Sequence, residues 1–368
     1  MLKNFFKLIF ILISLILLVN LPVRAEEPRQ ESYLKAKVVE ILEEGEREVS
    51  PGIKHSYQKL KLQLLDYQSE SQFIQLEYGG SFNLVPSQKV KKNETVVLSQ
   101  EKTLQGEIKY FLVDKYRLGN IAFLFFLFFL AVVLVGGLQG ITSMAGMLLS
   151  LLVILKFIVP RILAGANPLL ISILASIFIL VTTLYLAHGI NQKTHLAVLS
   201  TSLCLILTGI LAALFVQMAL LTGLGSEEAY SLTLGQTGTI NFKGLLLGGI
   251  IIGALGSLDD VTTGQTASIF ELHQVNPKIS FEELFKRGLN IGKEHVAAMV
   301  NTLVLAYAGA SLALFLLFYL GAQNKPFWMI FNSEVIAEEI IRAIAGSLGL
   351  VLAVPITTFL TVSFLKKK

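Results

Sequence analysis

The sequence contains a single cysteine, Cys204, among its 368 residues. One thiol cannot form a disulfide within the chain, and it leaves no cysteine cluster of the kind that binds a structural zinc ion. Cys204 stands in a leucine-rich run, where a cysteine usually behaves as a small apolar side chain. We therefore expect no disulfide framework, no metal site and no thiol chemistry.

Charged residues are scarce and unevenly distributed. They make up 15% of the chain, compared with about 25% in an ordinary soluble domain, and 54% of the residues are hydrophobic. Most charges fall before Arg117, in 259–294 and in 334–342, and the apolar runs between them are long enough to cross about 30 Å of hydrocarbon. The basic residues form no stripe, which excludes a nucleic-acid partner. The composition indicates an integral membrane protein whose main partner is the lipid bilayer.

Residues 1–25 have the features of a secretory signal peptide. Lys3 and Lys7 precede an apolar core at 8–21, and residues 23–25 (VRA) form a small-x-small cleavage site. An uncleaved membrane anchor is the alternative. Either would deliver the following segment to the outer side of the plasma membrane.

Residues 32–117 have the texture of a small extracytoplasmic β domain. The segment 58–64 alternates polar and apolar residues strictly, as a half-buried strand does. Four other short strands are predicted, and the full set is 35–41, 58–64, 73–76, 95–98 and 108–113. Five strands in so short a domain predict a small barrel, for which the OB type is the commonest model. No basic and aromatic face is evident, so we expect a structural role or the docking of a protein partner.

The remainder, 119–368, is predicted to be an all-α membrane domain of about seven transmembrane helices. The predicted spans are 119–138, 142–159, 168–188, 196–222, 242–258, 296–320 and 343–365. Positive residues set the orientation, and Lys193, the basic residues of loop 259–295 and the closing 366–368 all favour the cytoplasmic side. Arg161 is an exception. The C-terminus is therefore predicted to be cytoplasmic.

The fifth predicted span carries the least expected polar residues, Asp259 and Asp260. Its apolar part, 245–258, is about 14 residues or roughly 21 Å long, too short to cross about 30 Å. Either the bilayer thins locally, or the two aspartates lie in its cytoplasmic third. An intramembrane carboxylate is costly unless paired, protonated or hydrated, and it usually marks a functional site.

Small and polar residues surround the aspartates. Gly253 and Gly256 precede them and allow a close helix approach, whereas Thr262, Thr263 and Gln265 follow them. The glycine and threonine run is predicted to unwind and to expose carbonyls for a cation, as in discontinuous transporter helices. The alternative is that the helix ends at residue 258 and the aspartates begin a solvated loop.

Other polar residues are secondary candidates for binding or gating. Asn301 and Tyr307 begin the sixth predicted span, and Asn301 is a candidate partner for Asp260. Glu338 and Arg342 are four residues apart and are predicted to pair on one helical face. Pro355 would free a carbonyl within the last span.

The segment before the sixth span predicts a helix on the membrane surface. Ser280 and Glu283 form a capping box, with the serine as the N-cap residue. Apolar residues then share one face, and Lys286, Arg287 and Lys293 supply positive charge for anionic headgroups. A gating role is the alternative interpretation of this helix.

Several motifs in this region resemble those of the YibE/F-like family of bacterial membrane proteins. They are SLDDVTTG, VNP, FKRGLNIG and NTLVLAYAG in that order, followed later by GSLGLVLAVPIT. The resemblance extends from about Gly119 to the end, after a family-like β domain. Asp260, which Val261 follows, matches the family's aspartate position better than Asp259 does. The resemblance implies a multi-pass plasma-membrane protein with an expected transport role but no defined substrate.

Two functions remain in question at the level of the sequence. A secondary transporter or permease for an ion or small solute would use Asp260 as a titratable binding group. A membrane assembly or signalling scaffold would dock a partner through the β domain and use the helices as an anchor. No catalytic motif is present, so we expect no enzyme activity and no cofactor.

Overall fold

The computed structural model describes residues 32–65, 73–102, 107–235, 240–321 and 326–367. The predicted signal peptide at 1–25 lies outside these residues. The described chain divides into two compact units, one ending at Ala131 and one beginning at Val132, so the division falls within a helix. The predicted order of a β-sheet followed by helices is confirmed.

The first unit contains one antiparallel sheet of five strands in the order β3-β2-β1-β4-β5. The strands are β1 (Ser32–Ser50), β2 (Ile53–Leu64), β3 (Phe73–Gly79), β4 (Thr95–Lys102) and β5 (Ile108–Lys115). Leu60, Leu62 and Leu64 of β2 are buried, as their strict alternation predicts. Each buried leucine stabilises the unit by about 1.5–3 kcal/mol.

The sheet is open at both edges. Within the described residues β3 pairs only with β2, and β5 pairs only with β4. The predicted barrel of the OB type is therefore not confirmed, because no hydrogen-bonded ladder joins the two edge strands. Alternation along a strand predicts which face is buried, but it does not predict whether the last strand returns to the first.

The second unit is helical, and its first helix begins within the first unit. Numbered along the chain, the helices are α1 (Leu118–Leu163), α2 (Pro168–His188), α3 (Gln192–Met218), α4 (Glu227–Gly235), α5 (Phe242–Val275), α6 (Phe281–Ala310), α7 (Leu312–Gly321), α8 (Phe327–Phe331) and α9 (Glu334–Lys366). Five of them (α1, α2, α3, α5 and α9) are long and apolar enough to cross a membrane, and α6 with α7 gives a sixth if the bent pair is one span. The predicted seven spans are not confirmed.

The first two predicted spans are both parts of α1. This helix runs for 46 residues, but Gly137 in its interior has φ 56° and ψ −133°. Only glycine adopts such a conformation readily, so Gly137 breaks the helical hydrogen bonding at this point. Hydropathy divides the segment into two spans at the same place where the backbone breaks.

Residues 259–295 are helical except for the connection at 276–280. Helix α5 continues without interruption from Phe242 to Val275, so it neither ends at residue 258 nor unwinds after Asp260. Thr262, Gln265 and Thr266 are buried, and their packing against neighbouring helices keeps this polar half helical. The helix ends at Val275, and Asn276 is its C-cap residue, because the residue before a proline such as Pro277 disfavours the helical conformation.

The predicted surface helix and the sixth predicted span are likewise one helix, α6. The Ser280 hydroxyl accepts a hydrogen bond from the Glu283 N–H at 3.2 Å, which confirms the N-cap. The predicted span does not continue straight to residue 320, because α6 and α7 are bent by 62° at Ser311.

Helices α3, α5 and α9 pack against one another at the centre of the helical unit. Their fully buried apolar residues include Leu205, Ile251, Leu258 and Leu350. Cys204 is buried in the same cluster, as its sequence context predicts. This three-helix core fixes α5, and α5 in turn positions the aspartate pair.

Candidate functional site

A cavity of about 400 Å³ lies between α1, α2 and α5. We call it the main cavity because it holds the aspartate pair, although a cavity lined by residues of α5 and α6 is slightly larger, at about 440 Å³. The polar lining residues of the main cavity come from all three helices and are Ser143, Ser150, Thr183, His188, Asp259 and Asp260. The other lining residues are mostly apolar, so the two carboxylates are the strongest ligands for a cation in this space.

Asp259 is held by its own helix. Its Oδ1 accepts a hydrogen bond from the Thr263 hydroxyl at 3.2 Å, one turn further along α5. Asp260 interacts electrostatically with Asp259, since the two acids are adjacent. Two neighbouring carboxylates repel each other when both are charged, and a bound cation or proton relieves that repulsion.

Asp260 is exposed where it lines the main cavity, and no hydrogen bond joins it to any described residue. His295 of α6 interacts with Asp260 electrostatically. The predicted pairing with Asn301 is not found, because Asn301 is exposed and forms no hydrogen bond within the described chain. Asp260 therefore retains its full capacity to accept a proton or bind a cation.

Thr262 and Gln265 lie on another face of α5, away from the main cavity. The Thr262 hydroxyl is 2.5 Å from that of Thr201 in α3. The Gln265 side-chain amide donates to the Gly288 carbonyl in α6 and to the Thr358 hydroxyl in α9, both at 2.7 Å. These two predicted site residues therefore join helices together, whereas Thr263 supports the aspartate pair.

The two predicted glycines serve different purposes. A Cβ on Gly253 would lie 3.1 Å from the hydroxyl of Tyr307, so the missing side chain lets α6 approach α5 closely. A Cβ on Gly256 would meet nothing within 4 Å, and Gly256 lines the main cavity. Tyr307 is half-buried at the contact between the two helices and does not line the main cavity.

The predicted Glu338–Arg342 ion pair is wrong. Arg342 pairs with Glu339, three residues before it. The buried Glu338 carboxylate instead accepts a hydrogen bond from the Gly225 N–H at 2.9 Å. Glu338 and Glu339 are both within one helical turn of Arg342, so either can pair with it. Glu339 forms the ion pair, because Glu338 is already bonded to the backbone of Gly225.

Glu334 is a residue that the sequence analysis missed. Its Oε1 accepts hydrogen bonds from the N–H of Thr222 at 2.6 Å, from the hydroxyl of Thr222 at 2.6 Å and from the N–H of Gly223 at 3.0 Å. Glu334 and Glu338 lie one turn apart on α9, and both bind the segment 222–225. We call this arrangement the carboxylate clamp.

Pro355 lies within α9, and the helix continues through it from Glu334 to Lys366. Because proline has no N–H, the carbonyl four residues earlier, at Val351, receives no hydrogen bond from it. Val351 does not line the main cavity. Pro355 is therefore separate from the aspartate pair.

Four lining residues of the main cavity were not anticipated, namely Ser143, Ser150, Thr183 and His188. The hydroxyls of Ser150 and Thr183 donate back to carbonyls of their own helices, at 2.9 Å and 2.8 Å. The sequence does not show which serines and threonines line a cavity, because most of those in apolar helices bond to their own backbone in this way. His188 was detectable as an ionisable residue at the end of a predicted span.

No described group of three or more histidine, cysteine, aspartate or glutamate residues has the arrangement of a metal site. No curated protein and no solved structure matches the chain. A family model described as YibE/F-like protein matches residues 124–367, which is well over half of the chain. The chain therefore belongs to the YibE/F-like protein family.

Proposed function

We propose that this protein is a secondary transporter of a monovalent cation, either the proton or an alkali ion. The observation that carries the proposal is the main cavity, into which α5 places two adjacent carboxylates, one of them without a hydrogen-bond partner in the described chain. An intramembrane carboxylate facing a cavity is a typical cation or proton site. Enzyme activity forms no part of the proposal.

The proposed route is open to a small solute only. A cavity of about 400 Å³ lies near the lower end of the range for small-molecule sites, which is about 300–1,000 Å³. Its hydroxyl-bearing residues, Ser143, Ser150 and Thr183, add oxygen ligands or water-binding groups around the carboxylates. In this proposal Asp260 takes up the cation, and Asp259, held by Thr263, shares its charge.

The proposed topology has seven crossings in the plasma membrane, with the β domain outside and the C-terminus inside. A straight helix as long as α1 would measure about 69 Å, more than twice the roughly 30 Å hydrocarbon thickness, so its two parts around Gly137 are assigned one crossing each. The bent pair of α6 and α7 is assigned one more. Lysine and arginine placement supports this orientation.

The test is cation flux into liposomes that contain purified protein, measured with a pH-sensitive dye and with sodium and potassium indicators. Asp260→Asn keeps the shape of the side chain but removes its charge, so flux should fall to the level of empty liposomes. Glu282→Gln, at an exposed acid of α6, is the matched control and should transport at the wild-type rate.

Binding provides a second measurement. A transported cation at a hundredfold over its dissociation constant should add about 2.7 kcal/mol to the stability of the wild type and nothing to Asp260→Asn. Full-rate flux in Asp260→Asn would exclude Asp260 as the carrier group. Absence of flux in the wild type, with every cation, would exclude transport of this class.

A docking scaffold is the second candidate, and the edge strand β5 supports it. Phe111 and Val113 of this strand are 48% and 52% exposed, and β5 has one unpaired edge among the described strands. Exposed edge strands accept a further strand from a partner. This candidate gains support if the wild type shows no flux and if Phe111→Ser breaks a defined complex that the full chain forms in its membrane.

A further inference from the structure

A second and smaller cavity, of about 190 Å³, lies where the end of α2, the start of α3 and the middle of α5 meet. We call it the side cavity. Its polar lining residues are His188, Asn191, Lys193, Thr194 and Thr263, and its apolar ones are Leu184, Ala197 and Ala267. Two of these residues also belong to the site described above: His188 lines the main cavity, and Thr263 bonds to Asp259.

The side cavity adjoins the main cavity. Leu184 and His188 line both of them. Thr263 lines the side cavity and donates its hydroxyl hydrogen bond to Asp259, which lines the main cavity. A cation leaving the aspartate pair therefore has its next polar contacts at Thr263 and His188.

Thr194 shows that the side cavity has an unused polar group. This residue is 3% exposed, and its hydroxyl has no hydrogen-bond partner among the described residues. Thr201, seven residues later, donates to the Ala197 carbonyl at 2.8 Å, but Thr194 is in the first turn of α3, where no helical carbonyl lies four residues before it. The Thr194 oxygen is therefore available as a ligand for a cation in the side cavity.

An ion pair lies beside this cavity at the protein surface. The Lys193 Nζ is 2.8 Å from the Glu271 Oε1 of α5, and it also lies 5.6 Å from the centre of the Phe270 ring. The two charged side chains are 39% and 64% exposed. An exposed pair of this kind is worth about 0–1 kcal/mol, so thermal motion opens it readily.

We propose that the side cavity is a second binding position for the transported cation, between Asp259 and the surface, and that the Lys193–Glu271 pair closes its outer end. The proposal rests on the proposed function and adds the route and the gate to it. While the pair is closed, the lysine ammonium repels a cation at the exit. When it opens, the Glu271 carboxylate becomes free to attract one.

Access to the side cavity is the measurement that does not depend on transport. Cys204→Ala gives a cysteine-free chain, and Ala267→Cys then places one thiol in the lining. Lys193→Gln should raise the rate at which a hydrophilic maleimide labels this thiol, by up to about fivefold for a pair worth up to 1 kcal/mol. Lys278→Gln, at an exposed lysine with no ion pair in the described chain, is the matched control and should leave the rate unchanged.

Flux tests the gate directly. Lys193→Cys with Glu271→Cys, in the Cys204→Ala background, can be bridged by a short bis-methanethiosulfonate that a reductant removes. Bridging should lower cation flux by about tenfold or more, as expected for a locked gating element, and the reductant should restore it. Either single cysteine variant, treated identically, should keep its flux.

Thr194 tests the binding position. Thr194→Val keeps the shape but removes the hydroxyl, so the cation loses one oxygen ligand and its KM should rise by up to about tenfold. Thr194→Ser keeps the hydroxyl and should stay near the wild type. A wild-type KM in Thr194→Val would overturn the binding position.

The outcomes separate the two proposals. Wild-type flux combined with unchanged labelling in Lys193→Gln and with full flux after bridging would overturn the gate but leave transport intact. Absence of any flux in the wild type would overturn the proposed function and, with it, the second binding position.

Discussion

The carboxylate clamp illustrates how single residues hold an otherwise irregular segment of the helical unit. Glu334 accepts three hydrogen bonds from Thr222 and Gly223, and Glu338 accepts one from the Gly225 N–H. A backbone N–H that is removed from water needs such a partner, and a carboxylate is the stronger kind of acceptor. The segment 222–225 is thus anchored to α9 by charge-assisted hydrogen bonds.

We expect Glu334→Ala to destabilise the full chain by about 1–3 kcal/mol, because it leaves two backbone N–H groups and one hydroxyl without their acceptor. Thermal unfolding of the detergent-purified protein measures the change. Glu228→Ala, at an exposed acid of α4, is the control and should shift stability by no more than about 0.5 kcal/mol. Equal melting of both variants would contradict the role of Glu334.

For single residues, the sequence predicts which side chains are functional better than it predicts which residues they contact. Asp259 and Asp260 were found from their position in an apolar run, because a charge at that place is conspicuous. Glu334 was not found, since its partner Thr222 is 112 residues away in the chain. The predicted pairing of Asp260 with Asn301 is not found either, because a shared predicted side of the membrane does not imply contact.

Among the elements, α5 differs most from its prediction. Hydropathy ends the span at residue 258, but the helix continues to Val275 because its polar residues have partners on other helices. Thr262 contacts Thr201 of α3, and Gln265 bonds to α6 and α9. When only the sequence is known, a polar residue that bonds to a neighbouring helix is predicted to lie in a loop, because its partner is not visible.

The packing of α3 on α9 depends on Gly349. A Cβ at this position would overlap the Thr208 side chain, so Gly349→Ala forces the two helices apart and should cost about 1–3 kcal/mol. Thr208→Ala removes the nearest atoms. The double variant should therefore be more stable than the sum of the two single changes predicts, which a double-mutant cycle of thermal unfolding measures.

Two results would contradict this account of the α3–α9 contact. Strict additivity of the two changes would show that residue 208 does not set the spacing. Gly256→Ala supplies the matched glycine control, because a Cβ there meets nothing within 4 Å, and it should raise the stability by up to about 1 kcal/mol, the helix propensity difference.

For the whole molecule, the sequence predicts a β-sheet followed by helices, and both are present. The strict alternation of 58–64 predicts β2 well, since Leu60, Leu62 and Leu64 all face the core. The number of crossings is harder to predict, because Gly137 breaks α1 without ending it. Closure of the sheet depends on an edge-to-edge contact, which leaves no periodic signal in the sequence.

The proposed topology can be tested with single cysteines in the Cys204→Ala background. Ser87→Cys lies in an exposed turn of the β unit, and Gln274→Cys lies near the exposed end of α5. An impermeant maleimide should label Ser87→Cys in intact cells and Gln274→Cys only after permeabilisation. Labelling of both positions in intact cells would contradict the assigned orientation.

The central place of α9 has a consequence for biosynthesis. This helix supplies Thr358 to Gln265, and its first turns supply Glu334 and Glu338 to the segment 222–225. The ribosome makes α9 after α3, α5 and α6, so these helices are made before the polar groups that α9 supplies to the helical unit. During that interval Gln265 lacks its bond to α9, and a chain stalled before residue 334 would keep this defect. Such an unpaired polar group distinguishes an unfinished copy of the chain from a finished one.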